Sequence, residues 1–118
     1  MLLVNGLHAV SSRAVAATGT RRVRGADHEF FYNPMWSFLG DASAGPPGTF
    51  YYQRARDVEL FWHMFDQVLL RPSLLPYYPD GGARILTRLG TVSLADDRGR
   101  PDPEVGSDHF PVVLRLTL

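Results

Sequence analysis

Asp66, Asp108 and His109 are the side chains of this sequence whose types and spacing suggest acid–base chemistry. Asp108 and His109 stand side by side in "GSDHFPVV", residues 106–113. In a regular strand two neighbours point to opposite faces. They can line one cavity if they lie in a loop leading into a strand, and Gly106 before them and Pro111 after them suit such a loop. Asp66 lies in "FDQVLL". A carboxylate followed by Val, Leu and Leu is costly to bury unless a partner meets it. A histidine suits that role, because the carboxylate fixes the ring's tautomer and stabilises its charged form. Each residue also has an ordinary reading, as a loop acid (Asp108), a surface histidine (His109) and a strand-edge charge (Asp66). Spacing alone leaves both readings open.

Other chemistries find less support. Ser93 in "GTVSLAD" has no Gly-x-Ser-x-Gly context, and Ser107 is too close to His109 in sequence to act as the nucleophile of a serine hydrolase. A metal centre built from His63, Asp66 and His109 lacks a recognisable ligand spacing.

The elements that must position these residues can be read from apolar periodicity and punctuation. Leu3, Leu7, Val10, Ala14 and Ala17 recur at helical steps, which predicts a helix over residues 2–17 ending near Gly19. The basic cluster Arg21, Arg22 and Arg24 reads as a solvated loop. In "YNPMWSFLG", Asn33 can cap a short helix, Pro34 suits its first position and Gly40 its exit. "TFYYQ" reads as a strand and "RARDVE" as a charged connector. "LFWHMFDQVLL" fits a buried strand or a helix equally well. "RPSLL" predicts a short helical turn, "ARILTRLGTVSL" a strand, and "ADDRGRPDPEVG" a long polar loop. In the closing strand Val112, Leu114, Leu116 and Leu118 share one face, and Val113, Arg115 and Thr117 the other.

The bulk properties bound the answer. A chain of 118 residues is one domain at most, and 45% hydrophobic with 20% charged residues is a globular composition. Twelve basic residues, all arginine, balance twelve acidic ones, so no global field favours nucleic acid or an anionic membrane. The absence of cysteine excludes disulfides and thiolate metal ligands. Asn5, Gly6 and His8 break the opening apolar run and no positive charge precedes it, so a secretory signal is not expected. No apolar run approaches the ~18 residues of a membrane span, and a soluble, cytoplasmic protein is expected.

"GSDHFPVVLRL" closely resembles the closing motif of the endonuclease/exonuclease/phosphatase superfamily, the deoxyribonuclease-I-like metal-dependent phosphoesterases. "FDQVLLRPSLL" resembles the strand that precedes it there, and "YNPMWSFLGD" with "GTFYY" resembles a stretch of bacterial members. The likeness runs from about residue 31 to the end. It implies an α/β fold, the C-terminal part of a two-sheet sandwich with outer helices, with residues 1–118 forming one partial domain. It also implies hydrolysis of a phosphoester, in nucleic acid or elsewhere, with Mg²⁺ or Mn²⁺ offsetting charge on the phosphoryl oxygens. His109 matches the family's catalytic histidine, Asp66 its orienting partner, and Asp108 an acid that helps bind the metal or position the attacking water. The family also uses an early Asn, a Glu ligand, a mid-chain His and an Asp-x-Asn pair. No Asp-x-Asn occurs here, Asn5 has no acid two residues before it, and Met64 stands where a basic residue is usual. Asp108 alone cannot hold a hard octahedral cation. The resemblance thus implies half of a site, and with it a sheet face left uncovered, so the chain is expected to self-associate, to pair with a complementing N-terminal half, or to be an inactive remnant.

Overall fold

The computed structural model describes residues 7–53 and 61–118. Asn5, the start of the expected 2–17 helix and the 54–59 connector lie outside the described residues.

The described residues form short strands in four small sheets, together with one short α-helix and two 3₁₀ helices. This overturns the expected two-sheet sandwich with outer helices. Most strands are only two to four residues long. Nine prolines and eleven glycines punctuate the chain, and each Pro removes a ladder donor while each Gly weakens a strand interior. Long ladders therefore do not propagate, and irregular segments carry much of the packing.

The first sheet is built from β1 (His8–Val10), β2 (Thr20–Val23) and β3 (Ala26–Tyr32), in the order β1-β3-β2. β1 runs parallel to β3, with His8 beside Phe30, and β2 runs antiparallel to it. Among the described residues of the expected 2–17 helix, only α1 (Arg13–Ala16) is α-helical, and there the Ser12 side chain caps the Val15 N–H. Periodic apolar residues alone did not commit His8–Val10 to a helix, because pairing to β3 offers those backbone groups partners as good. The arginine cluster, expected as a loop, is β2 of a hairpin. Arg24 and Gly25 turn it with φ of 50° and 80°, and Arg22 pairs across the ladder with Asp27.

Asn33 is buried and caps the 3₁₀ helix Pro34–Phe38 by accepting the Met35 N–H at 2.9 Å. β4 (Phe50–Tyr51) pairs antiparallel with β5 (Trp62–His63). A second 3₁₀ helix follows at Pro72–Tyr77. The expected single strand 83–94 is broken. β6 (Ala83–Ile85) separates from a hairpin of β7 (Arg88–Leu89) and β8 (Val92–Ser93), turned at Gly90 with φ 58°. β9 (Val112–Leu114) pairs antiparallel with β6. "FDQVLL" reaches the first sheet through reciprocal Tyr32–Leu70 hydrogen bonds of 2.8 and 2.9 Å.

The core joins α1, β3 and both 3₁₀ helices through Ala16, Phe30, Met35, Leu70, Leu75, Tyr78 and Ala83. Val112 and Leu116 of the closing segment pack against it, while Leu118 on the same predicted face is almost fully exposed. Large apolar side chains also remain exposed elsewhere, among them Leu39, Phe61 and Phe65. No helix among the described residues is long and apolar enough to cross a membrane.

One buried group carries a pH dependence. His8 is only 5% exposed, its ring lies 4.4 Å from that of His28, and among the described residues neither of its nitrogens has a hydrogen-bond partner. Burial, then His28 and Arg21, hold its pKa below the ordinary 6.5. The unfolded chain therefore takes up this proton at a higher pH than the folded one. The stability that neutral His8 contributes is present above about pH 6.5 and is lost as pH falls from there through the folded-state value. The urea midpoint should fall between pH 7.5 and 5, and His8→Leu should flatten that slope. An unchanged slope in His8→Leu would assign the pH dependence to other groups.

Candidate functional site

The site is assembled on β4 and the irregular segments beside it. His109 lies in the loop leading into β9, and it forms an isolated antiparallel bridge with Phe50. Its backbone N–H donates to the Ser107 hydroxyl at 3.2 Å. The preceding polar loop is ordered by Asp96, whose carboxylate accepts the N–H groups of Arg98 and Arg100, each at 2.9 Å, and the Arg100 guanidinium. That fold of the loop, with the Gly106 N–H donating to the Asp102 carbonyl, returns the chain towards His109.

Asp66 is placed from the other side. Gln67, next to it, accepts from Asn33 Nδ2 at 2.6 Å and donates to the Met64 carbonyl, which ties down the turn that carries the acid. Thr49 joins the parts. It is fully buried, its N–H donates to the His63 carbonyl at 2.9 Å and its carbonyl accepts the Phe110 N–H at 2.8 Å. Its hydroxyl accepts the Asp66 N–H at 3.3 Å. One residue thus ties β5, the Asp66 turn and the His109 loop together. Gly48 is required for this approach, since a Cβ there would lie 2.6 Å from the His63 carbonyl oxygen.

The result is a close pair, with His109 Nδ1 2.7 Å from Asp66 Oδ2. Both side chains are partly exposed, His109 at 36% and Asp66 at 40%, so Asp66 is less buried than its apolar context suggests. Burial raises the Asp66 pKa, but the hydrogen bonds from His109 and Thr49 outweigh it and hold the carboxyl below its ordinary value. The acid is therefore charged at neutral pH, and Nδ1 must carry the proton that it accepts. Neutral His109 then presents Nε2 as a free lone pair, the state required of a general base.

Asp108 does not join this hydrogen bond. It is exposed, and its carboxylate accepts from the Ser107 hydroxyl at 3.3 Å. Among the described residues no three His, Asp or Glu side chains are grouped to hold a metal ion. One carboxylate falls short of a Mg²⁺ or Mn²⁺ site. His63 stands apart from the Asp66 hydrogen bond, in an aromatic cluster with Phe50, Phe65 and His109. Sequence reasoning passed over Thr49, Phe50 and Phe65. Phe65, directly before Asp66, was in view within "FDQVLL", whereas nothing local marks Thr49.

Thr49→Val keeps the shape but removes the hydroxyl, leaving the Asp66 N–H without its acceptor. We expect a loss of about 1–2 kcal/mol in unfolding free energy, together with a weakened, exchange-broadened Nδ1 proton signal of His109. A variant with unchanged stability and an unchanged signal would show that the hydroxyl does not position the acid.

No family model matches the chain, and no curated protein or solved structure shows significant similarity to it.

Proposed function

We propose that this chain supplies the Asp–His part of a phosphoester-hydrolysing site, in a nuclease or phosphatase. The observation that carries the reading is the 2.7 Å contact between His109 Nδ1 and Asp66, which leaves Nε2 without a hydrogen-bond partner among the described residues, at a partly exposed surface. The resemblance of "GSDHFPVVLRL" to the closing motif of the endonuclease/exonuclease/phosphatase superfamily supports the choice of reaction.

In this reading water attacks phosphorus while its proton passes to His109 Nε2. The bond from phosphorus to the leaving oxygen breaks, and that oxygen takes a proton from solvent. Asp66 holds the ring in the tautomer that can accept and stabilises the imidazolium that forms. Stabilising charge on the phosphoryl oxygens is a separate task, and it is usually the larger contribution. A divalent cation is the expected agent in the superfamily, but Asp108 is the single ligand proposed from this chain. The remaining ligands, the Asn, Glu, His and Asp-x-Asn set, are proposed to come from a second polypeptide segment. The exposed apolar side chains give such a partner, or a second copy, a surface to cover.

The test is hydrolysis of DNA and of small phosphodiesters, with Mg²⁺ or Mn²⁺, by the chain alone and with a segment carrying those ligands. Turnover should be negligible alone and appear on complementation. Robust turnover by the chain alone that vanishes in His109→Ala would overturn the division of the site, and no turnover in any combination would overturn the phosphoesterase reading.

A further inference from the structure

Beside the Asp66–His109 pair lies a continuous group of aromatic rings. The Phe65 and His63 rings are stacked, 4.7 Å apart with planes 19° from parallel. Phe50 bridges Phe65 at 5.3 Å and His109 at 4.8 Å. Phe65 is 58% exposed although it sits at the centre of this group, so more than half of its surface meets solvent. A ring packed on its neighbours yet more than half exposed offers π surface to a ligand, not an enclosed apolar pocket.

Resting on the phosphoester reading above, we propose that the substrate is a single-stranded nucleic acid, with a base stacked on Phe65 next to the phosphate at His109. The Phe65 and His109 rings are 6.3 Å apart, comparable to the separation of a base from its own phosphate across the sugar. Stacking suits this surface because every base has a π face, whereas an acyl chain gains most from an enclosed aliphatic channel. A base inside a duplex would not reach an open ring, so the strand must be single or locally unpaired.

The test is binding by the full chain without added metal, which separates it from turnover. Fluorescence anisotropy of a labelled oligothymidine should give saturable binding, with an abasic oligomer of equal length and charge binding roughly tenfold more weakly or worse. Phe65→Leu keeps the bulk and removes the π face, and should bring oligothymidine down to the abasic level. Phe65→Tyr should retain binding, and the His109 Nδ1 proton signal should persist in each variant, confirming an intact pair. Equal affinity for the two oligomers, unaltered binding in Phe65→Leu, or Phe65-dependent binding of phosphatidylglycerol vesicles in preference to the oligomer would each overturn the proposal. If the stacking signature is present while complemented turnover stays absent, the base platform stands and the phosphoesterase reading falls.

Discussion

Replacing His109 with alanine should lower the complemented phosphodiesterase rate by roughly 10²–10⁴-fold, the range expected for losing a positioned general base. Asp66→Asn should fall in the same range by another route. The amide cannot accept the Nδ1 proton through its nitrogen and carries no charge to stabilise the imidazolium, so the ring loses both its preferred tautomer and its electrostatic partner. Because the two residues act as a unit, the double variant should be little worse than either single one. The pair alone is not enough. Removing one charge-stabilising donor from an active site costs ~10²–10³ in rate, and without the metal ligands several such contributions are missing together. The decisive readout is initial rate against metal concentration for the unaltered chain and the three variants, with and without the complementing segment. Additive losses from the two substitutions would mean that Asp66 and His109 act separately, despite the 2.7 Å contact.

Phe110→Ala should lower unfolding free energy by about 3–5 kcal/mol, the cost of emptying a buried phenylalanine site. Phe110 is 1% exposed, stacks at 6.4 Å against Trp62 of β5, and donates its N–H to Thr49. It follows His109 directly, so its packing sets where the imidazole emerges. With ten buried apolar side chains among the described residues, the core has few contacts to redistribute the loss. Chemical denaturation should show the midpoint collapse, and the His109–Asp66 proton signal should disappear under conditions where the unaltered chain retains it. A loss below about 1 kcal/mol would mean that the pocket closes over the smaller side chain.

The sequence by itself was enough to single out Asp66 and His109. A carboxylate beside Val, Leu and Leu needs a partner, and a histidine between Gly106 and Pro111 lies where a strand has not yet begun. Composition and local stereochemistry also determined the Asn33 cap with Pro34 behind it, the strands around Phe50 and Val112, and the turn after Arg71. These depend on residues near one another in the chain, where capping, propensity and the fixed φ of proline act directly. The α/β sandwich carried over from the resemblance did not survive, because strands this short and this interrupted close into separate ribbons. The hairpin of Thr20–Val23 with Ala26–Tyr32 was hidden under arginines whose charges mask its alternation. Only the tertiary structure decided that Val112–Leu114 pairs with Ala83–Ile85 and that Thr49 ties His63, Asp66 and Phe110 together. It alone set Phe50 and Phe65 against the imidazole. Each of these rests on the register between segments tens of residues apart. Local pattern does not encode that register, because it follows from where every other buried group finds its hydrogen-bond partner.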